Sequence, residues 1–142
     1  MMRNEIASNA ELINHANWLR QTVFIDEQGV PKDEIFDELN SQATHIVIFD
    51  DNKPVATARL LSGDGSYRIG LVAVIKSRRG EDLGKKVMRL AIEHIAAKGG
   101  KEILLTAQEE VSEFYKKLGF VQCGQAEVFE SGFVLIPMNL CL

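Results

Sequence analysis

The run Leu71–Gly84 constrains this chain more than any other segment. An apolar, strand-length stretch, Leu71-Val72-Ala73-Val74, leads into Ile75-Lys76-Ser77-Arg78-Arg79-Gly80-Glu81-Asp82-Leu83-Gly84. From there Leu83, Val87, Leu90, Ala91 and Ile95 recur at helical spacing. Such an order folds as strand, tight turn and helix. The first N–H groups of a helix have no partner inside it, and the helix dipole adds partial positive charge. Together they make an anion site suited to phosphate. Gly80 and Gly84 let the backbone approach a ligand, and Arg79 and Lys85 can add charge-assisted bonds. Taken alone, the turn also reads as an ordinary solvated connection. It has neither the Gly-Lys-Ser/Thr of a Walker loop nor the Rossmann G-x-G-x-x-G.

Charge along the chain supports the first reading. The net charge is −4, which argues against a nucleic-acid partner. Yet residues 76–86 carry Lys76, Arg78, Arg79, Lys85 and Lys86 against only Glu81 and Asp82. Residues 26–38 invert this, with Asp26, Glu27, Asp33, Glu34, Asp37 and Glu38 against Lys32. The acidic segment could attract a cationic amine, or it is a solvated loop. His15, His45 and His94 form no cluster with Cys123 and Cys141, so no metal site is expected. Both cysteines read as free thiols, buried or near the C-terminus. No secretory leader and no membrane-length apolar run is seen, which gives the expectation of a cytoplasmic protein.

With 142 residues the chain is expected to form one domain, 1–142. Arg3–Ala7 reads as a strand. Asn9 can cap a helix over Ala10–Glu27, ended by Gly29-Val30-Pro31. Thr44–Phe49, Val55–Leu61 and Tyr67–Ile75 read as a three-stranded meander with turns at Asp50–Lys53 and Gly63-Asp64-Gly65. The helix Leu83–Ala97 stops at Gly99-Gly100. Glu102–Ala107 (strand), Glu110–Leu118 (helix), Phe120–Cys123 (strand) and Val128–Met138 (strand, interrupted at Gly132 and Pro137) complete the chain. The fold class is α+β, a mixed, mainly antiparallel sheet flanked by helices.

Three motifs now carry a resemblance. Val72-Ala73-Val74 followed by Arg79-Gly80-x-x-Leu83-Gly84 resembles motif A of the GNAT acetyltransferases, Arg/Gln-x-x-Gly-x-Gly/Ala. Phe114-Tyr115-Lys116-Lys117-Leu118-Gly119-Phe120 is similar to motif B. Val23-Phe24-x-x-Glu27-Gln28-Gly29-Val30-Pro31, Asp37-Glu38 and Ala43-Thr44-His45 resemble the small ElaA-like branch. The resemblance implies the GNAT acyl-CoA N-acyltransferase fold and acetyl-CoA as donor, with no metal. It implies that Val72, Ala73 and Val74 pair with the pantetheine arm like an added strand, and that Arg79, Gly80, Glu81, Asp82, Leu83, Gly84 and Lys85 hold the pyrophosphate. Gln108 stands where the family places a polar residue near the cofactor.

Asp82 replaces the middle glycine of motif A, Lys76 the proline often found before it, and Leu135 a histidine common in the branch. A carboxylate beside a pyrophosphate repels it, and a positive φ costs Asp something. The implied activity is direct transfer of an acetyl group from acetyl-CoA to a primary amine of a small molecule, with a peptide or protein amine left open as acceptor. The alternative is a CoA-binding domain with little or no turnover, acting as sensor or scaffold. Tyr115 is the implied acid at the CoA sulfur; from spacing alone an aromatic beside Val111, Phe114 and Leu118 is more often a core residue. No base stands out: water, Glu27 or another acidic residue could serve, and Glu27 ranks first. Arg20, Gln28 and His45 are candidates for lining the acceptor site. A homodimer is compatible with this reading, which otherwise includes no nucleic acid and no membrane.

Overall fold

The computed structural model describes residues 1–142 other than Asp64, Glu130 and Ser131. The expected turn at Asp64 and the expected strand positions 130 and 131 therefore lie outside the described residues.

The first strand, β1 (Met2–Ala7), is followed by helix α1 (Ala10–Arg20), which opens as the sequence predicts. The Asn9 side chain accepts a hydrogen bond from the Leu12 amide at 2.8 Å. The helix does not continue as a regular α-helix to Glu27. Residues Gln21–Glu27 form a π-helical stretch, ended by Gly29 at φ 72°. The acidic segment contains a short helix α2 (Lys32–Ile35) and a 3₁₀ turn over Glu38–Gln42 that Asp37 caps through the Leu39 amide.

Strands β2 (Thr44–Asp50), β3 (Lys53–Ser62) and β4 (Ser66–Val74) form the expected meander. Helix α3 (Leu83–Ala97) coincides with the periodic stretch read from sequence. β5 (Glu102–Gln108), helix α4 (Ser112–Lys117), β6 (Val121–Gln122), β7 (Glu127–Val128) and β8 (Val134–Cys141) follow. The sheet order is β1-β2-β3-β4-β5-β8-β6, with β7 also on β8. Among the described residues only β4 and β5 pair in parallel; the other pairs are antiparallel. The α+β class holds.

The last expected strand is two. The Phe129 amide bonds to the Phe133 carbonyl at 2.8 Å and Gly132 takes φ 90°, so β7 turns back onto β8. Pro137 does not interrupt β8. Its carbonyl faces β6, accepting from the Cys123 amide at 2.9 Å, so its missing N–H faces the same short edge. Both cysteines are free, as expected, and both are exposed.

Helix α3 packs Leu83, Val87, Met88, Ala91 and Ile95 against Ile46, Ala58, Leu60 and Ile103 of the sheet. On another cluster, Leu12, Ala16 and Leu19 of α1 bury Val47 and Phe49. The α3 stripe stays strictly helical in period because the sheet beneath it demands one continuous apolar face. Among the described residues no helix is long and apolar enough to cross a membrane.

Candidate active site

Two strands create the site by separating. β4 and β5 pair only through Ser66–Arg68 and Glu102–Leu104. Beyond that, no pairing joins Ile69–Val74 to Leu105–Gln108. A bulge in β4 marks the divergence: Leu71 and Val72 together face Ala58 of β3, between the pairs Thr57–Ala73 and Arg59–Gly70. Leu71 takes φ 49°, a left-handed conformation that is rare for a branched residue and costs on the order of 1–2 kcal/mol.

The opening is a cleft of two joined cavities. One, of about 450 Å³, lies at the basic turn and is lined by Arg79, Gly80, Asp82, Leu83, Gly84 and Lys85, with Lys117 opposite. The other, of about 630 Å³, lies between the separated strands and is lined by Val72, Ala73, Val74, Gln108 and Tyr115. Val74, Arg79, Gly84 and Phe114 line both, so the cleft is continuous.

The turn meets the requirements of an anion site. No side chain caps the N-terminus of α3: Asp82 occupies the N-cap position without a side-chain hydrogen bond. The first amides of α3 therefore face the cavity without a protein acceptor from the cap. Asp82 adopts φ 61°, ψ 21°, the left-handed region its motif reserves for glycine. Gly84 sits close to α4; a Cβ there would meet Phe114 at 3.4 Å, ordinary contact, consistent with the Gly/Ala choice at this motif position.

Two cations of the turn are already engaged. Arg78 binds Asp50 at 2.7 Å and Glu81 at 2.9 Å, which turns Glu81 away from the cavity. Arg79 makes a two-pronged pair with Glu27, at 2.6 and 2.8 Å, and donates from Nε to the Val74 carbonyl at 3.1 Å. The Arg79 bonds hold the Glu27 carboxyl below its ordinary range. Lys85 and Lys117 carry no hydrogen bond to a carboxylate among the described residues and line the cavity. Lys117 was missed by sequence reasoning; its signal was a cation within motif B, one turn after Phe114.

Motif B has a local physical basis. Gly119, at φ 105°, ends α4: its amide bonds to the Lys116 carbonyl and the Phe120 amide to the Tyr115 carbonyl. The turn folds Phe120 back under Tyr115, whose ring stands edge-on to Phe114 and Phe120 at 5.0 and 6.1 Å. Tyr115 is thereby fixed in the cleft. Burial pushes its phenol up to about 12.

Of the sequence candidates, the structure brings Val72, Ala73, Val74, Arg79, Gly80, Asp82, Leu83, Gly84, Lys85, Gln108 and Tyr115 to one cleft. Glu81 and Glu27 do not line it, although Glu27 reaches it through Arg79. Gln28 lines the cavity between the strands, with Val23, Phe24 and Val111, which sequence reasoning did not assign. Arg20 and His45 do not line the site. Both are fully buried, with Arg20 Nη2 donating to His45 Nδ1 at 3.0 Å and His45 Nε2 donating to the Asn40 carbonyl at 3.0 Å.

A family model described as the acetyltransferase (GNAT) domain matches residues 7–142. The chain belongs to the GNAT acetyltransferase family. Its GNAT relatives include the Bacillus subtilis protein called uncharacterized N-acetyltransferase YjcF, 36% identical over 138 residues, covering 96% of this chain and 98% of that protein. Among solved GNAT structures, Escherichia coli ElaA superposes with a TM-score of 0.87 at 26% identity, covering 98% of this chain and 99% of ElaA. An aminoglycoside 6'-N-acetyltransferase solved with coenzyme A shares the GNAT fold at a TM-score of 0.77 and 16% identity, over 99% of this chain and 96% of that one. The ElaA-like branch expected from Val23–Pro31 is the right one.

Proposed function

We propose that this GNAT domain, residues 1–142, binds acetyl-CoA in the continuous cleft and transfers its acetyl group to a primary amine. One observation carries the reading: the uncapped, basic start of α3 and the Tyr115 side chain share one cleft, bridged by the unpaired edge of β4. The residues fit the donor. The α3 amides with Lys85 and Lys117 suit a pyrophosphate, and the backbone of Val72–Val74 offers an edge to an amide-bearing arm. Acetyl-CoA, when bound, supplies the activated thioester. The aminoglycoside enzyme solved with coenzyme A supports the choice of donor.

Tyr115 stays protonated throughout the neutral range, because its phenol is pushed up to about 12. An ordinary thiol lies near 8.5, so complete transfer of the phenolic proton to a thiolate is uphill. Tyr115 therefore stabilises the departing sulfur as a hydrogen-bond donor, and the proton released by the amine ends on the thiol. Glu27, held ionised by Arg79, is a poor proton acceptor. Its role in this reading is to position Arg79 and the turn.

Asp82 favours a second reading, a CoA-binding domain with little turnover, because its carboxylate adds negative charge at the phosphate end. Steady-state thiol release separates the two. Tyr115→Phe is expected to lower kcat by about 10²-fold. Its Kd for CoA, by calorimetry, should stay unchanged. Equal losses in both would remove Tyr115 from the reaction, and no thiol release from the unmodified protein with any amine would favour the second reading.

A further inference from the structure

We propose that the acceptor is a primary amine carried on an uncharged apolar body, and that the cleft delivers it unprotonated without a side-chain base. The inference rests on the function proposed above and names its substrate class.

The cleft is divided by charge. Its cations, Arg78, Arg79, Lys85 and Lys117, gather at the start of α3, and of these four Arg79 also lines the cavity between the strands. The acceptor must reach the reacting centre through the cavity between the strands, which Tyr115 shares with the apolar side chains of Val23, Phe24, Leu71 and Val111. The polar side chains there are Gln28, Gln108, Thr106, the Tyr115 phenol and Arg79, whose charge is already taken by Glu27; among the described residues no carboxylate lines this cavity. The acidic segment does not supply one. Asp26 accepts from Gln21 at 2.8 Å, Glu27 is taken by Arg79, and Asp37 by Arg59 at 2.7 Å. Glu109 and Glu110, next to Val111, are exposed and do not line the cavity.

A polycationic acceptor would give up hydration here for no counter-charge, a cost of several kcal/mol per uncompensated ion. An apolar body gains from the same walls. The two features explain one another. An ammonium drawn into apolar surroundings loses its proton more readily, by the desolvation that displaces the titration of any buried amine. Where burial supplies the neutral nucleophile, no base is needed, and among the described residues no carboxylate or histidine lines the cavity.

The experiment follows thiol release from acetyl-CoA with phenethylamine, spermidine and a lysine-containing peptide as acceptors. Phenethylamine should exceed the other two in kcat/KM by roughly tenfold or more. Val111 is 44% exposed, so Val111→Asp leaves the core intact while placing a carboxylate at the cavity. That variant should lose phenethylamine turnover and gain spermidine turnover. Replacing phenethylamine by its less basic β,β-difluoro analogue should move the rising limb of the kcat/KM–pH profile down with the basicity of the acceptor. A limb fixed in pH for both amines would reveal a protein base and overturn the inference. So would a preference for spermidine or the peptide, or an unaltered preference in Val111→Asp. Thermal stabilisation by acetyl-CoA with no release to any amine would instead defeat the proposed transferase reading, and this inference with it.

Discussion

Asp82 sits in a left-handed conformation at the mouth of the anion site, and it brings a negative charge there. Both properties oppose the phosphate binding proposed for the turn. The conformation favours glycine, and the charge repels a phosphate. Asp82→Gly should therefore tighten CoA binding by several-fold, through the removal of about 1 kcal/mol of charge repulsion. Calorimetric titration reads this directly; unchanged affinity would mean that the carboxylate points away from the bound phosphates. At this scale the sequence was informative where chemistry follows from residue type and local spacing. Gly80, Gly84 and Tyr115 were legible as neighbours in one cleft because the turn glycines and the motif aromatic are fixed by their local sequence. Arg79 was legible as a site residue and misleading as a free cation, because its partner Glu27 lies 52 positions away in sequence. Arg20 and His45 were misleading for the opposite reason. Polar types suggest a site, and nothing local reveals that each is the other's partner inside the fold.

The elements follow the same logic. Helix α3 was readable to the residue because a five-member apolar stripe and a Gly-Gly stop both state its limits. The π-helical stretch Gln21–Glu27 was not, since its residues suit an α-helix equally well. That stretch carries Val23 and Phe24 to the cleft and Glu27 to Arg79, and π-helical turns are frequent at functional sites. Behind it, a buried polar network ties α1, β2, β3 and the 3₁₀ turn together. Arg59 binds Asp37 at 2.7 Å and Asn40 at 3.2 Å, Asn40 reaches Asn17 at 3.2 Å, and His45 joins Arg20 to the Asn40 carbonyl. Burial, with the charge of Arg59, pulls Arg20 down to about 9.

Burial also lowers His45, and the charges of Arg20 and Arg59 add to it against the bond to Asn40. The unfolded chain thus takes up the histidine proton first. Stability is complete above the ordinary histidine value of 6.5 and is lost as pH falls through it toward the folded value. Asp37 acts likewise at lower pH: burial raises it, but its bonds from Arg59 and the Leu39 amide outweigh this and hold it below 3.8. Denaturant midpoints should therefore fall between pH 7 and pH 5. His45→Gln should be less stable at neutral pH and should lose that part of the slope; an unchanged slope would assign it to another group.

For the whole molecule, the decisive feature is the divergence of β4 and β5. Its presence could be inferred from sequence only through the family motifs, since the bulge at Leu71 has no signature in residues that read as a plain apolar strand. Hydrogen exchange offers a test over the full fold. Amides in 69–74 and 105–108 that face the cleft should exchange quickly in the free protein and slow when CoA is added. Slowing confined to another face would displace the binding site from the cleft. The same divergence bears on how this protein behaves in a crowded solution of its own copies. A sheet is most prone to self-association where a long strand leaves its backbone unpaired at the surface. Here the outer edges are guarded: β1 presents Arg3, Asn4 and Glu5, and β6 and β7 are two residues each. The long unpaired backbone runs instead along the inside of a cleft lined by Phe24, Phe114 and Tyr115. The molecule thus keeps its stickiest backbone where a small extended ligand can enter and a neighbouring chain's strand meets side chains first.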